Sequence, residues 1–171
     1  LVYMWSKILH VKMSKSKNNY PDPSILINKY GVDSLRFYLL SSPVMNADNF
    51  NFSEKGVDEI YKKVLLLMYN VNRFYYGYKT EEELKGAPKE VIDKWIISRT
   101  NELIKTVSEN FEKYNTIKVC SAIREFVDDL STWYVRRNRD RFSEGDEEAP
   151  KVLKFVLENL AKVCAPIMPF V

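Results

Sequence analysis

Apolar residues recur at three- and four-residue steps over most of the chain, which predicts a series of amphipathic helices. Four long helices are expected, over about residues 53–76, 89–114, 116–142 and 150–164. Amphipathic helices joined by loops of this kind predict an antiparallel helical bundle. The chain has 5 glycines among its 171 residues, which agrees better with a mainly α chain than with a glycine-rich nucleotide-binding fold.

Two of these helices have continuous apolar stripes, which we expect to face the core. The first stripe consists of Val57, Ile60, Tyr61, Val64, Met68, Val71 and Tyr75. The second consists of Ile123, Phe126, Val127, Leu130, Trp133 and Tyr134. The polar segment 77–88 and the acidic segment 143–148 are expected to be loops, and the carboxylates of the second loop favour the N-terminus of the helix that follows.

Two short helices are predicted before the bundle. Asp22 can cap the first helix, Pro23 suits its first position, and Gly31 suits its end. Asp33 is predicted to cap the second helix, which Pro43 ends. The apolar face of the first helix is expected to consist of Ile25, Leu26 and Tyr30.

The remaining N-terminal segments have weaker patterns. Residues 43–52 are rich in Asn and Asp and are predicted to be a loop. Residues 1–11 fit either two short strands joined by a turn or one helical stripe. We expect three parts: a small unit over 1–20, a linking unit over 21–52 and a helical domain over 53–171.

Composition narrows the possible functions. The net charge of +3 weakly indicates a polyanionic partner. No apolar run reaches membrane-spanning length, and because His10 is the one histidine, no Cys/His cluster has the spacing of a metal site. Cys120 and Cys164 fall at helical apolar positions and are expected to be reduced core residues. The chain begins at Leu1 and ends at Val171 within an apolar run, so we expect it to be a piece of a longer polypeptide.

Five consecutive residues near the N-terminus suit the chemistry of a phosphate group. Lys12, Met13, Ser14, Lys15 and Ser16 bring together two ammonium groups and two hydroxyls. A lysine that reaches a pyrophosphate leaving group would stabilise the charge that develops during phosphoryl or adenylyl transfer. Lys15 is the better candidate because hydroxyls flank it on both sides, and Lys12 would assist it or position the loop. The alternative is a solvated basic turn.

A second cluster lies near the end of the third long helix, where four arginines alternate with aromatic residues. Arginine forks match phosphates and their planes stack on bases, so the cluster suits contact with RNA. The alternatives are a basic last turn that favours the helix dipole, or arginines that pair with Asp128, Asp129 and Asp140. The cluster consists of Trp133, Tyr134, Arg136, Arg137, Arg139, Arg141 and Phe142.

Together these motifs resemble the class I aminoacyl-tRNA synthetases. Residues 12–16 are identical to the second signature motif of that class. Residues 19–23 and 30–36 resemble the segment that follows this motif in the isoleucine, valine, leucine and methionine enzymes. Residues 93–99 resemble the opening of their anticodon-binding bundle, and residues 165–170 resemble a later motif of the bundle.

The arginine cluster is most similar to that of the isoleucine-specific enzymes of the archaeal and eukaryotic cytosolic type. The resemblance implies an anticodon-binding type of bundle, preceded by a stem-contact-like unit and by the end of a catalytic nucleotide-binding domain. It implies a ligase that activates isoleucine with ATP and Mg²⁺ and transfers it to tRNA(Ile). We expect a monomer in the cytoplasm with no membrane partner and no metal held by residues of this chain.

The resemblance also assigns roles to residues. Lys12 and Lys15 match the motif lysines that stabilise the activation transition state, and the ATP-binding residues would be Lys12, Met13, Ser14, Lys15 and Ser16. The bundle would bind tRNA, and the residues expected to contact it are Trp133, Arg136, Arg137, Arg139 and Arg141.

Two departures from the family pattern qualify this interpretation. The first signature motif of the class needs two histidines, so that motif, most of the nucleotide fold and the editing domain are expected upstream. This piece alone is therefore predicted not to activate isoleucine. Residues 5–7, Trp-Ser-Lys, stand where the family usually has a turn with Gly or Asp. Two alternatives stay open: a non-catalytic tRNA-binding module derived from a synthetase, and a ligase for valine, leucine or methionine.

Overall fold

The computed structural model of the chain describes residues 22–171 and a short strand at residues 4–6. The predicted class, a mainly α bundle preceded by a small unit, is confirmed. In chain order the elements are β1 (Met4–Ser6), α1 (Pro23–Tyr30), α2 (Val32–Leu40), β2 (Phe50–Phe52), α3 (Glu54–Ile60), α4 (Leu66–Tyr76), α5 (Val91–Glu112), α6 (Thr116–Asp128), α7 (Arg136–Ser143) and α8 (Glu148–Cys164).

Two of the long helices contain a π turn. Tyr61–Leu65 joins α3 to α4, and Asp129–Val135 joins α6 to α7. A π turn has i→i+5 hydrogen bonds and takes up one additional residue. The long helices predicted over 53–76 and 116–142 are therefore confirmed as continuous helical segments. The sequence pattern does not predict their π turns, because one additional residue changes the apolar spacing very little.

The other two long helices, α5 and α8, begin and end within two residues of their predicted bounds. The polar connection before α5 is a loop, as predicted, and it is attached to α8. Lys151 and Lys154 of α8 form salt bridges with Glu82 and Glu83 of this loop.

The core of the bundle is built from one face of each long helix. Most residues of the two predicted stripes are buried, but Trp133 is 50% exposed, so its expected place in the core is wrong. Buried residues of the core include Val64, Met68, Val71, Ile96, Leu103, Ile123, Phe126, Leu130, Tyr134, Val152, Val156 and Leu160.

A smaller apolar cluster lies where α1, β2 and α3 meet. Its buried members are Leu26, Tyr30, Phe52 and Val57. Phe37 of α2 is buried in the main core instead. The short N-terminal helices thus pack against the bundle.

The ends of α1 are formed as the sequence predicts. The Asp22 side chain accepts a hydrogen bond of 2.8 Å from the backbone N–H of Ser24, and Pro23 occupies the first helical position. Gly31 has a φ of 80° and closes the helix by donating to the carbonyl of Ile27. One expectation is wrong: Ile25 is predicted on the apolar face of this helix, but it is 63% exposed.

The cap predicted for α2 is also wrong. This helix begins at Val32, directly after Gly31, so Asp33 lies inside its first turn. There the Asp33 side chain is buried and accepts a hydrogen bond from the backbone N–H of Phe170. The helix ends at Leu40, before Pro43.

The loop predicted over residues 43–52 contains regular structure, so that expectation is corrected. Pro43–Asn46 forms a 3₁₀ helix, and β2 pairs in parallel with β1, with Met4 opposite Phe50. The alternation Phe-Asn-Phe in β2 fits a strand, but its partner lies far upstream, and local patterns do not reveal a distant partner. Of residues 1–11, positions 4–6 form a strand; the others lie outside the described residues.

Cys120 and Cys164 are buried and free, as predicted. Burial raises the pKa of each thiol to about 12.

Within the described residues, no helix combines the length and hydrophobicity needed to cross a bilayer. The same residues contain no group of three or more His, Cys, Asp or Glu that could hold a metal ion.

Candidate nucleic-acid interface

Three arginines and a tryptophan lie on the outer side of the helix that runs from α6 into α7. We call Trp133, Arg136, Arg137 and Arg139, all of which are exposed, the arginine surface. The guanidinium carbon of Arg137 lies 4.6 Å from the ring centre of Trp133, which is a cation–π contact. Cations beside an exposed aromatic ring suit phosphates and unstacked bases.

The inner side of this helix is buried. Tyr134, Asn138 and Phe142 follow one another at four-residue steps and are all buried. In an ideal α-helix each such step rotates the side chain by about 40°. The π turn Asp129–Val135 takes up an additional residue directly before α7, so it shifts the phase of α7 relative to α6. Trp133 lies within this turn and is exposed.

Arg141, the fourth arginine of the predicted cluster, belongs to the inner side. Its Nη2 donates to Asp93 Oδ2 over 3.0 Å, and its Nε donates to Asp146 Oδ2 over 3.0 Å. Its Nη1 donates to Asn138 Oδ1 over 2.8 Å. All three guanidinium nitrogens are thus bonded within the protein. Because the Arg141 side chain is only 22% exposed, we leave it out of the arginine surface, and its contact with tRNA stays a prediction from sequence.

Asp93 is the buried anion of this network. Its side chain is 0% exposed, and its Oδ1 accepts a hydrogen bond of 2.8 Å from the Tyr134 hydroxyl. Burial, together with the Asp93 carboxylate, raises the pKa of Tyr134. Burial alone would lower the pKa of Arg141, but the bonds to Asp93 and Asp146 outweigh it and raise that pKa. Arg141 therefore stays a cation within the network.

Asp146 connects the network to α8. Its Oδ1 accepts hydrogen bonds of 2.8 Å and 2.9 Å from the backbone N–H groups of Glu148 and Ala149. Burial would raise the pKa of Asp146, but these N–H groups and Arg141 outweigh burial and lower it. The prediction that a carboxylate of the acidic loop favours the next helix N-terminus is confirmed.

Sequence reasoning missed Asp93, although one signal was present. A charged residue on an apolar stripe is expensive to bury unless it is paired. The position of Asp93 on the stripe of α5 therefore indicates a buried partner, but Arg141 lies 48 residues away and no local pattern identifies it. The buried stripe of α5 consists of Asp93, Ile96, Thr100, Leu103 and Val107.

The predicted alternative is that aspartates of the same helix pair with the clustered arginines. One of these aspartates forms a salt bridge, but with an arginine of another helix. Asp129 binds Arg99 of α5, with a distance of 2.8 Å between Oδ2 and Nη2. Asp128 and Asp140 are exposed. Among the described residues, the three arginines of the arginine surface form no salt bridge with an acidic side chain, so this surface keeps its positive charge.

The other predicted site lies outside the described residues. It consists of Lys12, Met13, Ser14, Lys15 and Ser16. Their roles stay predictions from sequence.

Two protein-family models match the chain. The anticodon-binding domain of tRNA ligase matches residues 93–171, which contain most of α5, all of α6 to α8 and the arginine surface. The model for tRNA synthetases of class I (I, L, M and V) matches residues 10–51, which include the Lys/Ser run. The chain therefore contains matches to two domains of the class I tRNA synthetases, as its motifs predict.

Similar curated proteins carry the name of one member of this class. An isoleucine–tRNA ligase of Protochlamydia amoebophila (strain UWE25) is 37% identical over 171 residues, covering 94% of this chain and 16% of the relative. An isoleucine–tRNA ligase of Chlamydia trachomatis serovar D is 39% identical over 173 residues, with the same shares. The resemblance to isoleucine enzymes is confirmed, and the archaeal and eukaryotic subtype stays a prediction. The chain spans about 16% of the length of these relatives.

Solved structures share the fold. LeuRS of Agrobacterium radiobacter K84, in a ternary complex with tRNA and LeuAMS, has a TM-score of 0.69 at 22% identity, covering 97% of this chain and 20% of that chain. Methionyl-tRNA synthetase of Mycobacterium tuberculosis, bound by methionyl-adenylate, has a TM-score of 0.72 at 19% identity, covering 98% of this chain and 35% of that chain. At these identities the similarity shows the fold alone.

Proposed function

We propose that the chain is the part of an isoleucine–tRNA ligase that supplies the signature loop and the tRNA-binding bundle. The whole enzyme would use ATP with Mg²⁺ to form isoleucyl-adenylate and would then transfer isoleucine to tRNA(Ile). One observation carries this proposal: a class I synthetase match over residues 10–51 is followed in the same chain by an anticodon-binding match over residues 93–171. The relatives in complex with tRNA or an aminoacyl-adenylate support these ligand classes.

The proposal divides the chain into three parts. Residues 1–20 would be the end of the catalytic domain, residues 21–52 a stem-contact-like unit and residues 53–171 the anticodon-binding domain. The contacts of α2 support a firm attachment between the second and third parts. Arg36 of α2 donates hydrogen bonds to the carbonyl oxygens of Pro166 and Ile167 near the end of the bundle.

In the proposed reaction, Lys15, assisted by Lys12, neutralises the charge that develops on pyrophosphate as it leaves. A group that acts mainly in the transition state changes the rate of activation more than it changes the binding of another substrate. We expect Lys15→Ala in the full-length enzyme to slow ATP–pyrophosphate exchange by about a hundred-fold or more. Binding of tRNA should change little.

A matched control is available next to the motif. Lys17→Ala removes a neighbouring lysine outside the signature and should leave the exchange rate near that of the parent enzyme. If Lys15→Ala weakens exchange and tRNA binding equally, the transition-state role is wrong.

Aminoacylation assays on the full-length enzyme test the amino-acid assignment. We expect tRNA(Ile) to be charged with isoleucine. Charging of a valine, leucine or methionine tRNA in its place would identify a sister ligase. Binding of tRNA without any adenylate formation would favour the non-catalytic module.

The 171-residue chain tested by itself should show no ATP–pyrophosphate exchange, because the first signature motif is expected upstream. Clear exchange activity would contradict this division of roles.

We also infer a monomer that acts in the cytoplasm without a membrane partner. Analytical ultracentrifugation of the full-length enzyme tests the monomer, and fractionation of the source cells tests the location.

A further inference from the structure

α7 carries most of the arginine surface but contributes little apolar area to the bundle. Of its residues, all of which the structure describes, Asn138 and Phe142 are buried. Phe142 packs edge-on against Phe74 of α4, with 4.9 Å between the ring centres. Phe142 also packs against Tyr78, with 5.3 Å between the ring centres. The polar part of the attachment depends on Arg141.

Asp93 of α5 is the main partner of Arg141. Arg141 donates to both carboxylate oxygens of Asp93, over 3.2 Å from Nη1 and 3.0 Å from Nη2. A two-point bond between a guanidinium and a carboxylate fixes orientation as well as distance. Because Asp93 is fully buried, loss of Arg141 would leave its charge without compensation. The pair therefore attaches α7, the last part of the continuous helix that begins with α6, to α5.

We propose that Asp93 is a positioning residue for tRNA binding, acting through Arg141 on the arginine surface. Arg136, Arg137 and Arg139 lie on the same eight-residue helix as Arg141. A change in the direction of this last part of the continuous helix would move all three outward-facing guanidinium groups together. The inference rests on the proposed function, since it concerns the same tRNA surface.

The main test is Asp93→Asn in the full-length enzyme. Asparagine keeps the shape and an oxygen for the Tyr134 hydroxyl but removes the charge that holds Arg141. We expect the KM for tRNA in aminoacylation to rise about five-fold or more, while ATP–pyrophosphate exchange keeps its rate. If Asp93 only stabilised the fold, its substitution would change the KM for tRNA and the exchange rate together.

Leu103→Ala is the matched control for general destabilisation. Leu103 is buried on the same helix as Asp93 but is not part of the polar network, and truncating a buried leucine costs about 2–5 kcal/mol. We expect this variant to lower the melting temperature and to keep the KM for tRNA. Equal KM values for Asp93→Asn and Leu103→Ala would overturn the proposal, and so would an unchanged KM in Asp93→Asn.

A second variant covers the case in which Asp93→Asn does not fold. Arg141→Lys keeps the charge but loses the two-point geometry, and it should raise the KM for tRNA in the same way; an unchanged KM would contradict the positioning role. Replacement of Arg136 and Arg137 distinguishes the two proposals. If their loss leaves tRNA binding intact, the arginine surface does not bind tRNA and its proposed role is wrong. If their loss weakens binding while Asp93→Asn does not, the positioning role alone is wrong.

Discussion

The carboxylate of Asp33 accepts a hydrogen bond of 3.0 Å from the backbone N–H of Phe170, which lies 137 residues further along the chain. Arg36, on the next turn of α2, donates to the carbonyl oxygens of Ile167 and Pro166. One short helix therefore holds the last segment of the bundle. The second carboxylate oxygen of Asp33 is buried and accepts no hydrogen bond from the residues that the structure describes. A buried charge that is only half satisfied is costly.

This geometry predicts a pH-dependent effect of Asp33→Asn. Burial raises the pKa of Asp33, and the Phe170 N–H and Arg36 only partly offset this effect. A carboxyl whose pKa is higher in the folded than in the unfolded state penalises folding when it is charged, and the penalty disappears as the pH falls through the folded pKa. Asparagine has no such penalty.

We therefore expect the free energy of unfolding of Asp33→Asn, relative to the parent, to be higher at pH 7 than at about pH 4. Urea unfolding of both proteins at the two pH values measures this difference. Asp140→Asn, at an exposed position, controls for the removal of a charge. A relative stability that rises towards low pH would contradict the prediction.

Gly56 faces the ring of Tyr38 so closely that a methyl group does not fit. An added Cβ would overlap the Tyr38 ring at Cε2. The ring is held by Phe50 and Phe52, with ring centres 5.3 Å and 5.5 Å away, and its hydroxyl accepts from the backbone N–H of Ser53. Gly→Ala inside a helix ordinarily stabilises by roughly 0.5–1 kcal/mol. Here we expect Gly56→Ala to destabilise by about 1–3 kcal/mol, measured by urea unfolding.

The same substitution in a Tyr38→Ala background identifies the cause. With the ring absent, Gly56→Ala should be neutral or stabilising, because helix propensity then decides the outcome. Equal destabilisation in the two backgrounds would exclude the ring as the cause.

Tyr114 adopts a left-handed conformation in the connection between α5 and α6. Its φ is 54°, and the residue is 89% exposed, so few contacts offset the strain. A residue with a Cβ pays roughly 1–2 kcal/mol in this conformation, whereas glycine does not. We expect Tyr114→Gly to be more stable than Tyr114→Ala by about 1 kcal/mol, measured by thermal unfolding. Equal stabilities of the two variants would show that this conformation carries no strain.

The sequence predicts those features that depend on neighbouring residues. The bounds of α5 and α8 follow from apolar periodicity, and the cap of α1 follows from Asp22 and Pro23, because each involves residues within one or two turns. The two regions that match synthetase domains, residues 10–51 and 93–171, also follow from short motifs. The strand pair β1–β2 and the Asp33–Phe170 contact could not be predicted, since each depends on where distant segments meet.

The division of the four arginines shows the same limit at the site. A helical pattern places Arg137 and Arg141 on one face, because they are one turn apart. The structure separates them: Arg137 lies over an exposed ring, and Arg141 binds a buried aspartate of another helix. The distant partner Asp93 decides this outcome, and no local sequence signal links it to Arg141.

The arginine surface predicts a specific change in the salt dependence of tRNA binding. Each phosphate contact contributes roughly one unit to the slope of log K against log salt concentration. Replacement of Arg136 and Arg137 by glutamine should weaken tRNA binding by the full-length enzyme and reduce this slope by about one to two units. Both residues are exposed, so the melting temperature should change little.

Arg124→Gln is the control, because Arg124 is an exposed arginine on α6, 13 residues before Arg137 on the same continuous helix. Its loss removes one positive charge, half of what the double variant removes, but should leave the slope unchanged. Trp133→Ala should weaken binding without changing the slope, since a stacked ring releases no counterions. A slope that falls equally with Arg124→Gln would mean that net charge, rather than the arginine surface, attracts the tRNA. An unchanged slope in the double variant would assign Arg136 and Arg137 to the fold instead.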